Sequence, residues 1–320
     1  MTLSRRSFLA AGAAAALAGS QALADHHKGG EKKDAKKSMR AVDGKPFGIS
    51  LAQWSLHRTI RKGEIDPIDF PKVAREMFDI GGVEYVNQFF ADKALDKSYL
   101  GELKKRGEDH NVEHVLIMVD REGNLGDPDT AKRLQAVKNH VKWLDAAKFL
   151  GCHAIRVNAA SSGSWEQQRD HAADGLRRLC EEAEQFDLSV LVENHGGLSS
   201  NGEWLSSVMT YVDHPLVGTL PDFGNFWIKR PRENQVGEKF DNYVGTDLLM
   251  DHAKAVSAKT YAFTASGNEA TLDYDRLMKI VLDHGYHGWV GIEWEGGDPG
   301  EIEGIKLTKA LLERIQKDMA

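Results

Sequence analysis

Leu188-Ser189-Val190-Leu191-Val192-Glu193-Asn194-His195-Gly196-Gly197 is an apolar run that ends in a carboxylate and opens into a glycine-bearing loop. The run is short, β-branched and free of proline, which reads as a buried strand. The same pattern returns in Leu220-Pro221-Asp222-Phe223-Gly224-Asn225-Phe226 and in Gly291-Ile292-Glu293-Trp294-Glu295-Gly296-Gly297. A carboxylate at the end of a buried strand is costly to desolvate unless it meets a cation or a hydrogen-bond donor.

Outward from these three, apolar β-rich segments alternate with amphipathic ones. Strands are predicted at 47–53, 83–87, 113–119, 153–158, 188–193, 217–222, 255–261 and 289–293. Between them lie helix signals. Asp66-Pro67 is an N-cap followed by proline at the first helical position, with Gly81-Gly82 as the stop. Leu134, Val137, Val141 and Leu144 recur at helical spacing, as do Ala172, Leu176, Leu179, Ala183 and Phe186, and a further helix is predicted over 275–284, closed by Gly285. Eight strand–helix units predict an α/β fold, a single (β/α)8 TIM barrel over 45–320. An open doubly wound sheet is the alternative, but no strand is followed by a Gly-x-Gly-x-x-Gly or P-loop turn.

The 320 residues, 41% of them apolar, suffice for one large core and exclude a wholly disordered or collagen-like chain. The formal charge of −7 argues against a nucleic-acid partner, which usually meets a basic face. Cys152 and Cys180 are too few for a zinc ribbon and read as structural.

The N-terminus reads as an address. Ser4-Arg5-Arg6-Ser7-Phe8-Leu9 precedes an Ala-rich run too short to span a bilayer, and Ala22-Leu23-Ala24 resembles a cleavage site. Residues 1–24 are therefore expected to be a twin-arginine signal peptide, recognised by the twin-arginine export machinery. The mature protein would be periplasmic or otherwise exported, with no stable membrane insertion after cleavage. Losing Arg5 and Arg6 would take its charge from −7 to −9. Residues 25–44, with His26-His27, Lys32-Lys33 and Lys36-Lys37, read as a disordered linker.

In a (β/α)8 barrel, function sits at the C-terminal ends of the strands. Glu193, Asp222 and Glu293 all fall there, and three close carboxylates require a counter-charge. One divalent metal ion (Mn, Zn or Mg) is the economical solution, since all three accept carboxylate oxygen. Any one of these acids alone is more simply a helix cap or salt-bridge partner; the set of three is what favours a site.

Val192-Glu193-Asn194-His195-Gly196-Gly197, Pro221-Asp222-Phe223-Gly224-Asn225 and Gly291-Ile292-Glu293-Trp294-Glu295-Gly296 resemble the motifs of the xylose-isomerase-like barrel superfamily, the sugar phosphate isomerase/epimerase group. The resemblance runs from Pro46 to about Leu312. It implies a single divalent metal held by Glu, Asp, His and Glu from strands five to eight, with the two Glu also acting as acid/base pair. Glu193, Asp222 and Glu293 match the carboxylates. The histidine does not carry over, because Ser257 stands at its expected position in Ala255-Val256-Ser257-Ala258-Lys259. Three resolutions are open: His195 completes the shell, water fills the place, or the site holds no metal and Lys259 supplies the positive charge.

Lys259, His195, Trp54, Asn158 and Asn225 are candidate substrate-binding residues, suited to a polyol whose hydroxyls need donors and acceptors. Trp54, Phe226, Trp227 and Trp294 are candidates for an aromatic wall against sugar C–H faces. Gln53, His57, Glu84, Asn87, Asp120 and Arg156 are weaker mouth candidates, and His252 is placed on the opposite side of the barrel. The expected activity is that of a sugar isomerase or epimerase on a keto sugar or related polyol. Proton transfer would be metal-assisted and pass through an enediolate, with Glu193 and Glu293 as acid and base. The alternatives are a lyase or hydrolase acting on an oxidised glycoside, and a non-catalytic exported sugar-binding barrel.

Overall fold

A computed structural model of the protein describes residues 44–233 and 235–319. The expected signal segment lies outside them, as does the expected linker up to its last residue, Gly44. Ten strands are found among the described residues: β1 (Gly48–Ala52), β2 (Gly82–Val86), β3 (Glu113–Met118), β4 (Ala154–Val157), β5 (Ser189–Glu193), β6 (Val217–Leu220), β7 (Trp227–Lys229), β8 (Glu238–Lys239), β9 (Val256–Thr260) and β10 (Trp289–Trp294). The helices are α1 (His57–Arg61), α2 (Phe70–Phe78), α3 (Lys97–Asp109), α4 (Thr130–Leu150), α5 (Trp165–Ala183), α6 (Gly202–Val212), α7 (Asn242–Met250), α8 (Tyr274–Asp283) and α9 (Glu301–Asp318).

All eight predicted strands are present, and all are parallel, in the order β6-β5-β4-β3-β2-β1-β10-β9. The ends of this sheet meet. Thr219 bridges Ala253 and Asp222 bridges Ser257, with Ser257 N donating to Pro221 O at 2.9 Å and Phe223 N to Ser257 O at 3.1 Å. The fold is a TIM barrel. β7 and β8 form a small antiparallel hairpin in the connection from β6 to α7, which periodicity did not reveal because its residues are few and mostly polar.

Alternation along the strands sorts the core into two layers. Ala52, Val86, Leu116, Met118, Ala154, Leu191 and Leu220 fill the barrel. Val83, Ile117, Ile155, Val190, Val192 and Ile292 pack outward with Trp143, Leu176, Trp204 and Leu312 from the helices. Cys152 and Cys180 are free and buried, in keeping with a structural role.

Local signals hold with small shifts. Asp66 caps a short 3-10 turn, Pro67–Asp69, that leads into α2. That helix stops at Asp79, left-handed at φ 50°, and Gly82 already belongs to β2. Ser164 and Gln167 open α5 with a reciprocal capping box. Among the described residues, no helix is long and apolar enough to cross a membrane.

Candidate active site at the C-terminal mouth

Strand ends bring the three acids together. Glu193 closes β5, Asp222 follows β6, and Glu293 lies in β10, all buried. Each offers an oxygen, and these oxygens lie within 4.8 Å of one another. This buried triad could hold a metal ion.

Donors and cations surround the triad. Asn225 Nδ2 donates to Glu193 Oε1 at 2.8 Å, and Arg156 Nε lies 2.7 Å from Glu193 Oε2 as an ion pair. The backbone N–H groups of Gly224 and Asn225 both donate to Asp222 Oδ1 at 2.9 Å. Ser257 Oγ lies 2.7 Å from Asp222 Oδ2 and 3.2 Å from Glu293 Oε2. Lys259 Nζ lies 3.0 Å from Glu293 Oε1, 3.5 Å from Asp222 Oδ2 and 3.4 Å from Glu295 Oε2. Each of the six oxygens thus lies near a donor or a cation, although Glu193 Oε2 and Arg156 Nε, buried and paired by charge, have no hydrogen-bond partner. A metal on these acids would need a fourth donor; here a serine hydroxyl bound to Asp222 and Glu293 stands beside them, and an ammonium already supplies positive charge. The built-in ammonium and a metal ion would therefore compete for the same carboxylate oxygens.

The electrostatics follow from burial and these pairs. Burial pushes Glu293 up, opposed by Lys259 and reinforced by Glu193. Burial likewise pushes Asp222 up against the pull of Lys259. Burial also favours the neutral form of Glu295, but Lys259 and the Trp54 indole N–H, which donates to Oε1 at 2.8 Å, outweigh it and bring Glu295 down. Lys259 is driven well above its ordinary value: burial opposes its charge, and four carboxylates overcome that. Asp120 is held below the carboxylate range against burial, by Arg156 at 2.8 Å and Asn158 at 2.7 Å.

Deeper in the barrel, Glu84 accepts from Ser50 Oγ at 2.6 Å. Burial, with Glu293 and Glu193 adding to it against Ser50 and Arg156, pushes Glu84 up to about 7. Gly291 faces this carboxyl so closely that a Cβ there would overlap it.

Above the acids lies a cavity of about 300 Å³, lined by Trp54, Val86, Gln88, Asp120, Arg121, Arg156, His195, Glu293 and Glu295. A neighbouring one of about 320 Å³ shares Arg121 and His195 and adds Asn158. A larger crevice of about 500 Å³ lies between the 268–275 loop and α9, away from the acids; its one buried carboxylate, Glu269, accepts from the backbone of Thr271 and Leu272. The mouth cavities are the ones that meet the chemistry.

Of the predicted site residues, Glu193, Asp222, Glu293, Lys259, Asn225, His195, Asn158 and Trp54 all reach this mouth. Their placements differ from expectation in several respects. His195 is exposed at the rim and is not part of the group able to hold a metal, so it does not complete a ligand shell. Asn225 is 4% exposed and braces Glu193. Lys259 is 2% exposed, wrapped by carboxylates. Phe226 and Trp294 are fully buried core residues: Phe226 packs on Gly245, and the Trp294 indole lies on Gly304 and Gly296. Trp54 fits the wall, its ring stacked on His57 at 4.7 Å and facing the cavity.

Arg156 gives a weak signal in the sequence because an arginine inside a strand belongs to no motif; only the barrel puts it between Asp120 and Glu193. Glu295 shows no role along the chain beyond its place after Glu293-Trp294, although alternation puts it on the same face as Glu293.

A family model described as xylose isomerase-like TIM barrel matches residues 71–317. The chain belongs to the xylose isomerase-like TIM barrel family. Its barrel superposes on the 3-keto-D-glucoside 4-epimerase of E. coli with TM-score 0.64 and 16% identity, covering 84% of this chain and 99% of that one. It matches the probable 3-DHS dehydratase of Bacillus anthracis at TM-score 0.58 and 19% identity, covering 84% and 100%. It matches an IOLI protein solved with a bound zinc atom at TM-score 0.64 and 12% identity, covering 85% and 99%. At these identities the likeness is one of fold. A 64-residue stretch is 36% identical to the C-glycoside deglycosidase alpha subunit of Arthrobacter globiformis, spanning 19% of this chain and 18% of that protein. The proteins it is similar to carry different activities in their names, so a function for this chain has to be argued from its own site.

Proposed function

We propose that the protein is a sugar-modifying enzyme of the isomerase or epimerase class, acting on a keto sugar or related polyol by proton transfer beside the carbonyl. The observation that carries this reading is the unequal setting of two facing carboxyls. Glu193 sits against the Arg156 guanidinium, while burial favours a proton on Glu293. A carboxyl whose proton burial favours, facing a second carboxyl held against a guanidinium, suits the pairing of an acid with a base. Glu193 is assigned as the base that removes the C–H proton, and Glu293 as the acid that returns one. Return to the same carbon from the other face gives epimerisation; return to the neighbouring carbon gives isomerisation. Trp54 and Asn158 line two neighbouring cavities, joined at His195, where the hydroxyls and C–H faces of a sugar would lie. The reading of residues 1–24 as an export signal favours a free sugar over a sugar phosphate.

The partial match to a deglycosidase subunit supports a second reading, a lyase or hydrolase on an oxidised glycoside. The first step is the same, loss of the acidic C–H; the outcome then differs by departure of the aglycone. One experiment separates the readings. The mature protein is incubated in D₂O with fructose, tagatose and a 3-keto-glucoside, and the C–H signals are followed by NMR. Exchange lost in Glu193→Gln and in Glu293→Gln supports the proposal. Exchange with release of aglycone favours the lyase. Saturable binding with no exchange of any sugar sinks both and leaves the sugar-binding barrel.

A further inference from the structure

We infer that Lys259 takes the place of a divalent metal at this mouth and is itself the group that polarises the substrate carbonyl. The part of this inference that concerns catalysis rests on the proton-transfer reading above.

Lys259 and Ser257 lie two residues apart on β9, so both point into the barrel. Between them they replace what a metal site needs. Ser257 binds Asp222 and Glu293 by its hydroxyl, and Lys259 brings a positive charge to within 3.0 Å of Glu293 and 3.5 Å of Asp222. A divalent ion on the same oxygens would sit close beside this ammonium, with like charges in a medium of low dielectric. The lysine is built in rather than swung in. Its stem passes Gly224, where a Cβ would stand 3.2 Å from Lys259 Cδ and 2.8 Å from the Tyr261 hydroxyl. An alanine at position 224 would crowd both.

The ammonium has three N–H donors and, at present, three carboxylate partners. Glu295 is the partner that can yield. Its side chain is 26% exposed, against 5% for Glu293 and 0% for Asp222, and it lines the cavity. A carbonyl oxygen entering there takes the third donor. Glu193 then accepts the proton from the adjacent carbon, the C–H pair becomes the new C=C bond, and the carbonyl π pair moves onto oxygen. The resulting enolate oxygen accepts from Lys259. Glu293 donates its proton to carbon as the double bond reverts, leaving Glu193 protonated and Glu293 ionised, and exchange with water restores both. No oxidant or further reactant is required.

The test uses the mature protein, dialysed against EDTA, incubated with Mn²⁺ or Zn²⁺ and desalted for elemental analysis. Wild type is expected to retain less than about a tenth of an equivalent. Ser257→His/Lys259→Met, which supplies the missing nitrogen ligand and removes the ammonium, is expected to gain metal. Wild type holding about one equivalent, lost in Glu193→Gln/Asp222→Asn, overturns the inference. The exchange assay is the second readout. Exchange unaffected by EDTA but abolished in Lys259→Met supports the inference. Exchange lost in EDTA and restored by Mn²⁺ overturns it while the isomerase reading survives. Absence of exchange with every sugar sinks that reading instead, and metal content still decides the inference.

Discussion

The hydroxyl of Ser257 lies 2.7 Å from Oδ2 of Asp222, and the same two residues form a backbone bridge where β6 meets β9. That seam is held by isolated bridges, whereas the other strand pairs of the barrel have runs of three or more paired residues. Closing the barrel and assembling the acid cluster are therefore one structural event.

Ser257→Ala removes a donor shared by two buried carboxyls at this seam. A buried acceptor left without its donor costs about 1–3 kcal/mol. The midpoint of urea unfolding should fall accordingly with the slope unchanged; an unaltered midpoint would show that the hydroxyl contributes nothing to closure.

Glu84 predicts a dependence of stability on pH. Its folded value of about 7 is raised from an ordinary 4.5, so between these values the folded state holds more proton than the unfolded one. Stability from this group is present below pH 4.5 and is lost as pH rises through about 7, by up to about 3 kcal/mol. Glu84→Gln keeps an acceptor for Ser50 and cannot ionise. Its melting temperature should exceed wild type at pH 8 and approach it at pH 5. A difference of the same size at both values would contradict this assignment.

Arg156 links Asp120 at 2.8 Å and Glu193 at 2.7 Å with a side chain 6% exposed. Arg156→Met strands two carboxylates, and breaking a buried pair from one side costs about 3–5 kcal/mol. Arg156→Lys keeps the charge but loses the planar fork that spans both acids, so its loss should be intermediate. Guanidinium unfolding of the three proteins should rank them in that order.

Gly304→Ala should destabilise, although alanine in place of glycine within a helix ordinarily stabilises by about 1 kcal/mol. Position 304 of α9 lies on the Trp294 indole, and an added methyl overlaps the ring. Forced overpacking costs about 1–3 kcal/mol. A rise in melting temperature would mean that the indole moves freely aside.

Much of this site was legible along the chain, for local reasons. Glu193, Asp222 and Glu293 end apolar runs at glycine-bearing loops, a signal written within seven residues each time. Ser257 was legible only as a mismatch to a family pattern. Arg156, Glu84 and Glu295 were not legible as a set, because they come from β4, β2 and the end of β10 and meet only across the barrel. Two members of the expected aromatic wall failed for the same reason. Phe226 and Trp294 look like Trp54 in sequence, but glycines at 245 and 304 on other elements receive their rings and draw them into the core.

The sequence by itself determined the eight-unit barrel, its strand positions and the carboxylates at its mouth. Those follow from period, turn residues and the cost of ending a buried strand in a charge, all of which act within one segment. Tertiary structure alone decided what answers those charges. Lys259 reaches Glu293, Asp222 and Glu295 because β9 and β10 are neighbours and β6 closes onto β9; a charge pair is a property of distance in space, which spacing along the chain does not contain.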